Sequence, residues 1–108
     1  IDDLGDLVLL QIEHMSDLPH RRYNVGGGVA SSLSLQELTA MCEAITGNRV
    51  EMRRVSENRL ADIRLYVTDN ARVTGDTGWA PRRSPQQTLQ SIYNWIRENE
   101  RLVAPLWS

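Results

Sequence analysis

Arg59, Asp62 and Arg64 form the constellation in this chain best suited to chemistry. A guanidinium presents a planar fork of donors that matches two phosphate oxygens, and a carboxylate accepts a hydrogen bond from a ribose hydroxyl. Set in one loop, the three side chains would hold the diphosphate and ribose of a nucleotide. On spacing alone, a solvated loop salt bridge is the default account of such charges. The segment leads through Ile63, Leu65 and Val67 at alternate positions to Asp69, and then to Gly78-Trp79-Ala80-Pro81.

The other candidates have plainer readings beside the chemical ones. Gly26-Gly27-Gly28 suggests either a phosphate cradle or a structural turn; no G-x-G-x-x-G or G-x-x-x-x-G-K spacing accompanies it, which favours the turn. His14 and His20 lie far from Cys42, with no carboxylate completing a ligand set, so no metal site is expected. Tyr93 and Arg97 imitate a Tyr-x-x-x-Lys pair, but a guanidinium does not usefully deprotonate and Tyr93 falls on an apolar stripe. Trp79 and Trp95 read as core or staple residues before stacking platforms. No catalytic residue is assigned.

Composition excludes more than the motifs establish. All basic residues are arginine, which removes Schiff-base chemistry and phosphate-loop lysines. A net charge of -2 gives no electrostatic case for nucleic acid or anionic membranes. No apolar run approaches bilayer length, and the single Cys42 points to a reduced, cytoplasmic setting. The start Ile1-Asp2-Asp3-Leu4 has neither an initiator methionine nor the form of a signal peptide, so the chain is expected to begin mid-protein.

The elements that must position these residues follow from periodicity. A first helix from Leu4 should bury Leu7, Val8, Ile12 and Met15, with Asp2 and Asp3 capping its start and Pro19 ending the segment. Ser34 and Glu37 have capping-box spacing, Leu33 and Leu38 staple positions, and Gly47 a left-handed stop. A short helix is expected from Asp69 to Gly75 or Gly78, with Asp76-Thr77 loosening it. A last helix opens at Ser84-Pro85-Gln86-Gln87 and places Leu89, Ile92, Tyr93 and Ile96 on one face, with fraying after Arg101. Strands are expected over residues 22–25, 49–55 and 63–67. With no repeat or linker, the pattern is a single α/β domain or fragment over residues 1–108, whose short strands would complete a sheet lying elsewhere.

The ordered series of motifs resembles the C-terminal, substrate-binding portion of extended Rossmann-type short-chain dehydrogenase/reductase enzymes, the NAD-dependent nucleotide-sugar epimerases and dehydratases. The resemblance rests on Ile1-Asp2-Asp3-Leu4, Tyr23-Asn24-Val25-Gly26-Gly27-Gly28, Ser34-Leu35-Gln36-Glu37-Leu38, Arg59-x-x-Asp62-x-Arg64, Asp69, Gly78-Trp79-x-Pro81 and Trp95, so it covers essentially the whole chain. The triglycine and the Arg-x-x-Asp-x-Arg form look most like the CDP-paratose (CDP-tyvelose) 2-epimerase branch. The chain departs from the family at Ala61 and Thr88, commonly glycine, at Arg72, commonly lysine, and at Asp76-Thr77, commonly apolar.

The resemblance implies a parent enzyme that uses NAD to oxidise a sugar hydroxyl transiently and return the hydride to the other face. Arg59 would bind the substrate pyrophosphate and Asp62 would lie near the ribose, with Arg64 beside them. The cofactor half and the catalytic Tyr-x-x-x-Lys would lie upstream of Ile1, leaving the isolated chain inactive and without its own cofactor. The competing readings are a dehydratase or reductase fragment and a free-standing, non-catalytic interaction domain. Exposed apolar helix faces would favour self-association.

Overall fold

The computed structural model describes residues 1–55, 57, 61 and 63–106. Its helices are α1 (Asp2–Glu13), α2 (Leu35–Thr46), α3 (Ala71–Thr77), α4 (Pro85–Glu98) and α5 (Glu100–Val103), with 3-10 turns at Val29–Ser31 and Ala104–Leu106. The chain divides into two units, Ile1–Ser32 with Arg59–Arg83, and Leu33–Asn58 with Ser84–Ser108.

The first unit is organised by α1 and α3. Leu7 and Val73 are 1% and 0% exposed, Trp79 closes over them, and Leu10, Tyr23 and Val25 pack against the cluster. The buried stripe of α1 is therefore Leu7 with the half-buried Asp3, Leu10 and Gln11, an i, i+4, i+7, i+8 series. This corrects the expected face: Val8, Ile12 and Met15 are exposed, Ile12 by 64% and Met15 by 76%. Helical period alone could not choose between the stripes, because apolar residues occupy positions 7–10 and 12. Nor does Asp3 cap α1. Its carboxylate accepts the backbone N–H groups of Arg82 and Arg83, both at 3.0 Å, while its carbonyl accepts the Trp79 indole N–H at 2.7 Å.

Helix α3 is short and tightly terminated. Gly78 at φ 71° supplies the left-handed stop; the Thr77 hydroxyl donates to the Val73 carbonyl and accepts from the Trp79 N–H. Thr77 thus fastens the helix end that its polarity was expected to loosen.

In the second unit, α2 packs on α4, and α4 on α5. Both longer helices carry complete capping boxes, Ser34 with Glu37 and Ser84 with Gln87, and Gly47 at φ 72° ends α2, as expected from the sequence. Leu89, Tyr93 and Ile96 form the half-buried face of α4, whereas Ile92 is exposed. From Arg101 to Leu106 the backbone stays helical, and Val103 is buried. Cys42 is a half-buried free thiol.

Among the described residues there is no strand. Residues 22–25, 49–55 and 63–67 carry the alternation but no ladder, and Val50, Met52, Val55, Ile63 and Leu65 are exposed. A strand exists only beside a partner, and alternation names a face without supplying one. Over the described residues the fold is helices joined by irregular segments, and the strands of the α/β expectation are not formed.

Candidate functional site

Arg59 and Asp62 lie outside the described residues. Arg64 is exposed and makes no hydrogen bond or ion pair among the described residues. Between them, Ala61 has φ 92°, a left-handed conformation that costs an L-residue with a Cβ about 1–2 kcal/mol. The position is built as a glycine would be built.

The triglycine is a packing device. A Cβ on Gly26 would collide with the Thr68 hydroxyl and lie 2.9 Å from the Thr68 Cβ, so only hydrogen fits there. Gly28 takes φ 66°, and the Asn70 carboxamide bonds both the N–H and the C=O of Gly26. These contacts lock residues 26–28 against residues 68–70, a structural turn in which the Gly26 amide already has a partner.

A side-chain cluster that the sequence did not announce lies nearby. Asp76 Oδ2 accepts from the Tyr23 hydroxyl at 2.8 Å and from His20 Nδ1 at 2.7 Å, with the two rings edge to face at 6.3 Å. These bonds, His20 first, outweigh desolvation and hold the Asp76 carboxyl below the usual aspartate range. Tyr23 is pushed above the ordinary phenol value, first by desolvation and then by its bond to Asp76. A general-base tyrosine needs the opposite shift, so the trio suits positioning through charge-assisted hydrogen bonds to the Asp76 carboxylate rather than proton abstraction by Tyr23. His20 is accounted for by Asp76, and no group of His, Cys, Asp or Glu among the described residues is arranged to hold a metal. The signal was faint: Asp76 stands 53 and 56 positions from its partners, and read alone it is a polar residue in a short helix.

Two recesses flank the cluster. One, of about 600 Å³, lies along the exposed side of α1 and is lined by Val8, Ile12, Met15 and Leu18 with His20 and Arg21. The other, of about 360 Å³, is lined by Arg22, Tyr23 and Asn24 together with Asp69, Ala71 and Arg72.

Comparison with known proteins places the chain in a chemical neighbourhood. It is 28% identical over 95 residues, 87% of its length, to CDP-paratose 2-epimerase of Salmonella typhi. It is also 28% identical over 99 residues, 92% of its length, to probable GDP-L-fucose synthase 1 of Oryza sativa subsp. japonica. The likeness is to nucleotide-sugar enzymes. The chain spans 28% of the length of each of these relatives. No protein-family model and no solved structure matches it. Among the described residues, no helix is long and apolar enough to cross a membrane.

Proposed function

We propose that this chain is the substrate-binding part of an NAD-dependent nucleotide-sugar epimerase of the extended short-chain dehydrogenase/reductase type, acting on a CDP-sugar in the cytoplasm. The observation that carries the reading is the similarity to two nucleotide-sugar enzymes over about nine-tenths of the chain, CDP-paratose 2-epimerase among them. The glycine-type backbone at Ala61 supports it independently, because the resembled family commonly has glycine there. In this reading Arg59 clasps the substrate pyrophosphate, Asp62 accepts a ribose hydroxyl and Arg64 reinforces the anion site, while NAD and the catalytic residues belong to the remainder of a longer protein. The apolar side of α1, with Val8, Leu9, Ile12 and Met15 exposed, would be covered by that remainder or, in its absence, by a second copy.

Calorimetric titration tests the reading. The 108-residue chain should not bind NAD, and the longer protein should bind a CDP-sugar. There, Arg59→Ala should remove about 1.5–3 kcal/mol of binding, roughly tenfold to a hundredfold in affinity. Arg59→Lys should fall between, since it keeps the charge and loses the fork. Unchanged sugar-nucleotide affinity in Arg59→Ala, accompanied by a large loss of stability, would show instead a structural salt bridge.

A further inference from the structure

The smaller recess beside the Asp76 cluster has the chemistry of a ligand site. Arg22 and Arg72 line it from two separate chain segments, and Asn24 adds a neutral carboxamide able to donate and accept. Neither guanidinium donates a hydrogen bond or forms an ion pair among the described residues, so each keeps its fork of donors, although the charge of Arg72 acts on Asp76 and Tyr23. The nearby carboxylates are engaged elsewhere. Asp69 accepts the Ala71 N–H through Oδ1 at 2.8 Å, and Asp76 accepts from His20 and Tyr23. The lining carries two cations, Arg22 and Arg72, and one carboxylate, Asp69, with the Asp76 carboxylate bonded to Tyr23 and within coulombic reach of Arg72. Two guanidinium groups at one recess attract an anion through their donors at that place on the surface.

We propose that this recess binds a phosphate-class oxyanion, held between the guanidinium groups of Arg22 and Arg72 with Asn24 completing the contacts. Two forks at one recess match a tetrahedral anion with three or more oxygens better than a planar carboxylate, whose two oxygens one fork satisfies. The walls of the recess are fixed. Asn70, immediately before Ala71, is tied to Gly26, and Tyr23 is tied through its hydroxyl to Asp76 in α3, so the segments bearing the two arginines are fastened to each other. A site with preset spacing binds its anion without first ordering the backbone. The inference does not depend on the nucleotide-sugar reading, which rests on Arg59, Asp62 and Arg64.

The test is an amide NMR titration of the 108-residue chain with inorganic phosphate at constant ionic strength, with acetate and chloride as controls. Phosphate should give saturable shifts centred on residues 22–24 and 69–72, and acetate and chloride should not. Arg22→Gln and Arg72→Gln should each weaken the phosphate affinity by roughly tenfold, the double variant should show no saturation, and Arg97→Gln, a residue that does not line the recess, should titrate like the parent chain. Circular dichroism melts of the same variants, expected to be near that of the parent, establish that they fold. Titrations with pyrophosphate and with a sugar 1-phosphate distinguish a free anion from one carried on a larger ligand, and saturation by either supports the site. Linear, unsaturable shifts with phosphate, equal responses to acetate, or parent-like affinity in the double variant would overturn it.

Discussion

Asn70 holds the peptide of Gly26 at two points, its Nδ2 donating to the carbonyl at 2.7 Å and its Oδ1 accepting the N–H at 3.1 Å across 44 positions of sequence. The carboxamide thereby does for one residue what a neighbouring strand would do, while Thr68, which Gly26 faces, leaves no room for a side chain there.

Asn70→Ala should accordingly cost about 1–3 kcal/mol, the penalty of leaving part-buried backbone groups unpaired. Gly26→Ala should cost a similar amount through overpacking, about 1–3 kcal/mol. Adding Thr68→Ala to Gly26→Ala should restore a good part of that loss, giving a double-mutant coupling that urea denaturation can measure. Strict additivity of the two substitutions would rule out the contact.

The Tyr23–Asp76–His20 cluster predicts pH dependence at both ends. Asp76 and Asp3 have folded-state pKa values below the unfolded ones, Asp76 through His20 first and Asp3 through the Arg83 backbone N–H first, so their contribution is present above the unfolded value and disappears as pH falls through the folded one. Tyr23 is raised, so its contribution is complete below the unfolded phenol value and disappears as pH rises through the folded one. Melting temperature against pH should fall in acid and again in strong alkali. Asp76→Asn should flatten part of the acid limb and Tyr23→Phe the alkaline limb; a Tyr23→Phe profile with an unchanged alkaline limb would show that the phenol does not control it.

At Ala61 the expected change is a gain. Relief of the positive φ is worth about 1–2 kcal/mol, and the added freedom of glycine in the unfolded chain takes back about 0.4–1. Ala61→Gly should therefore raise stability by about 0.5–1 kcal/mol. A lower urea midpoint would contradict the backbone assignment.

The two sides of α1 should respond differently. Leu7→Ala empties part of a fully covered site and should cost about 2–5 kcal/mol, whereas Ile12→Ala, on the exposed side, should stay within about 0.5 kcal/mol. If that side mediates association, Ile12→Asp should reduce the sedimentation coefficient at high protein concentration with little change in melting temperature. A parent chain that is already monomeric there would dismiss the association.

What could be read in advance was what a few neighbouring residues decide. Ser34 with Glu37, Ser84 with Gln87, and Gly47 specify helix ends through contacts within one turn, and those ends are where the sequence put them. Residues 63–67 alternate as a strand would, but a ladder depends on a partner that the pattern does not contain. Leu7 against Ile12 was undecidable for a related reason, since the buried side of α1 is chosen by Val73 and Trp79, far away in sequence. Asp76 shows the same difficulty from the polar side: its role belongs to Tyr23 and His20, not to its neighbours in α3. Of the three residues expected to bind substrate, only Arg64 lies within the described residues, and it stands exposed.

Trp79 reaches back 76 positions to the Asp3 carbonyl, and this sets a schedule for synthesis. A ribosome adding roughly 5–20 residues per second delivers the indole about 4–15 s after the helix it must cover. Through that interval Leu7 has neither Val73 nor Trp79 above it, and the leucine-rich first helix is the stretch of nascent chain that a holding chaperone would meet. A transcript truncated before the codon for Trp79 would yield a product in which that interval never ends.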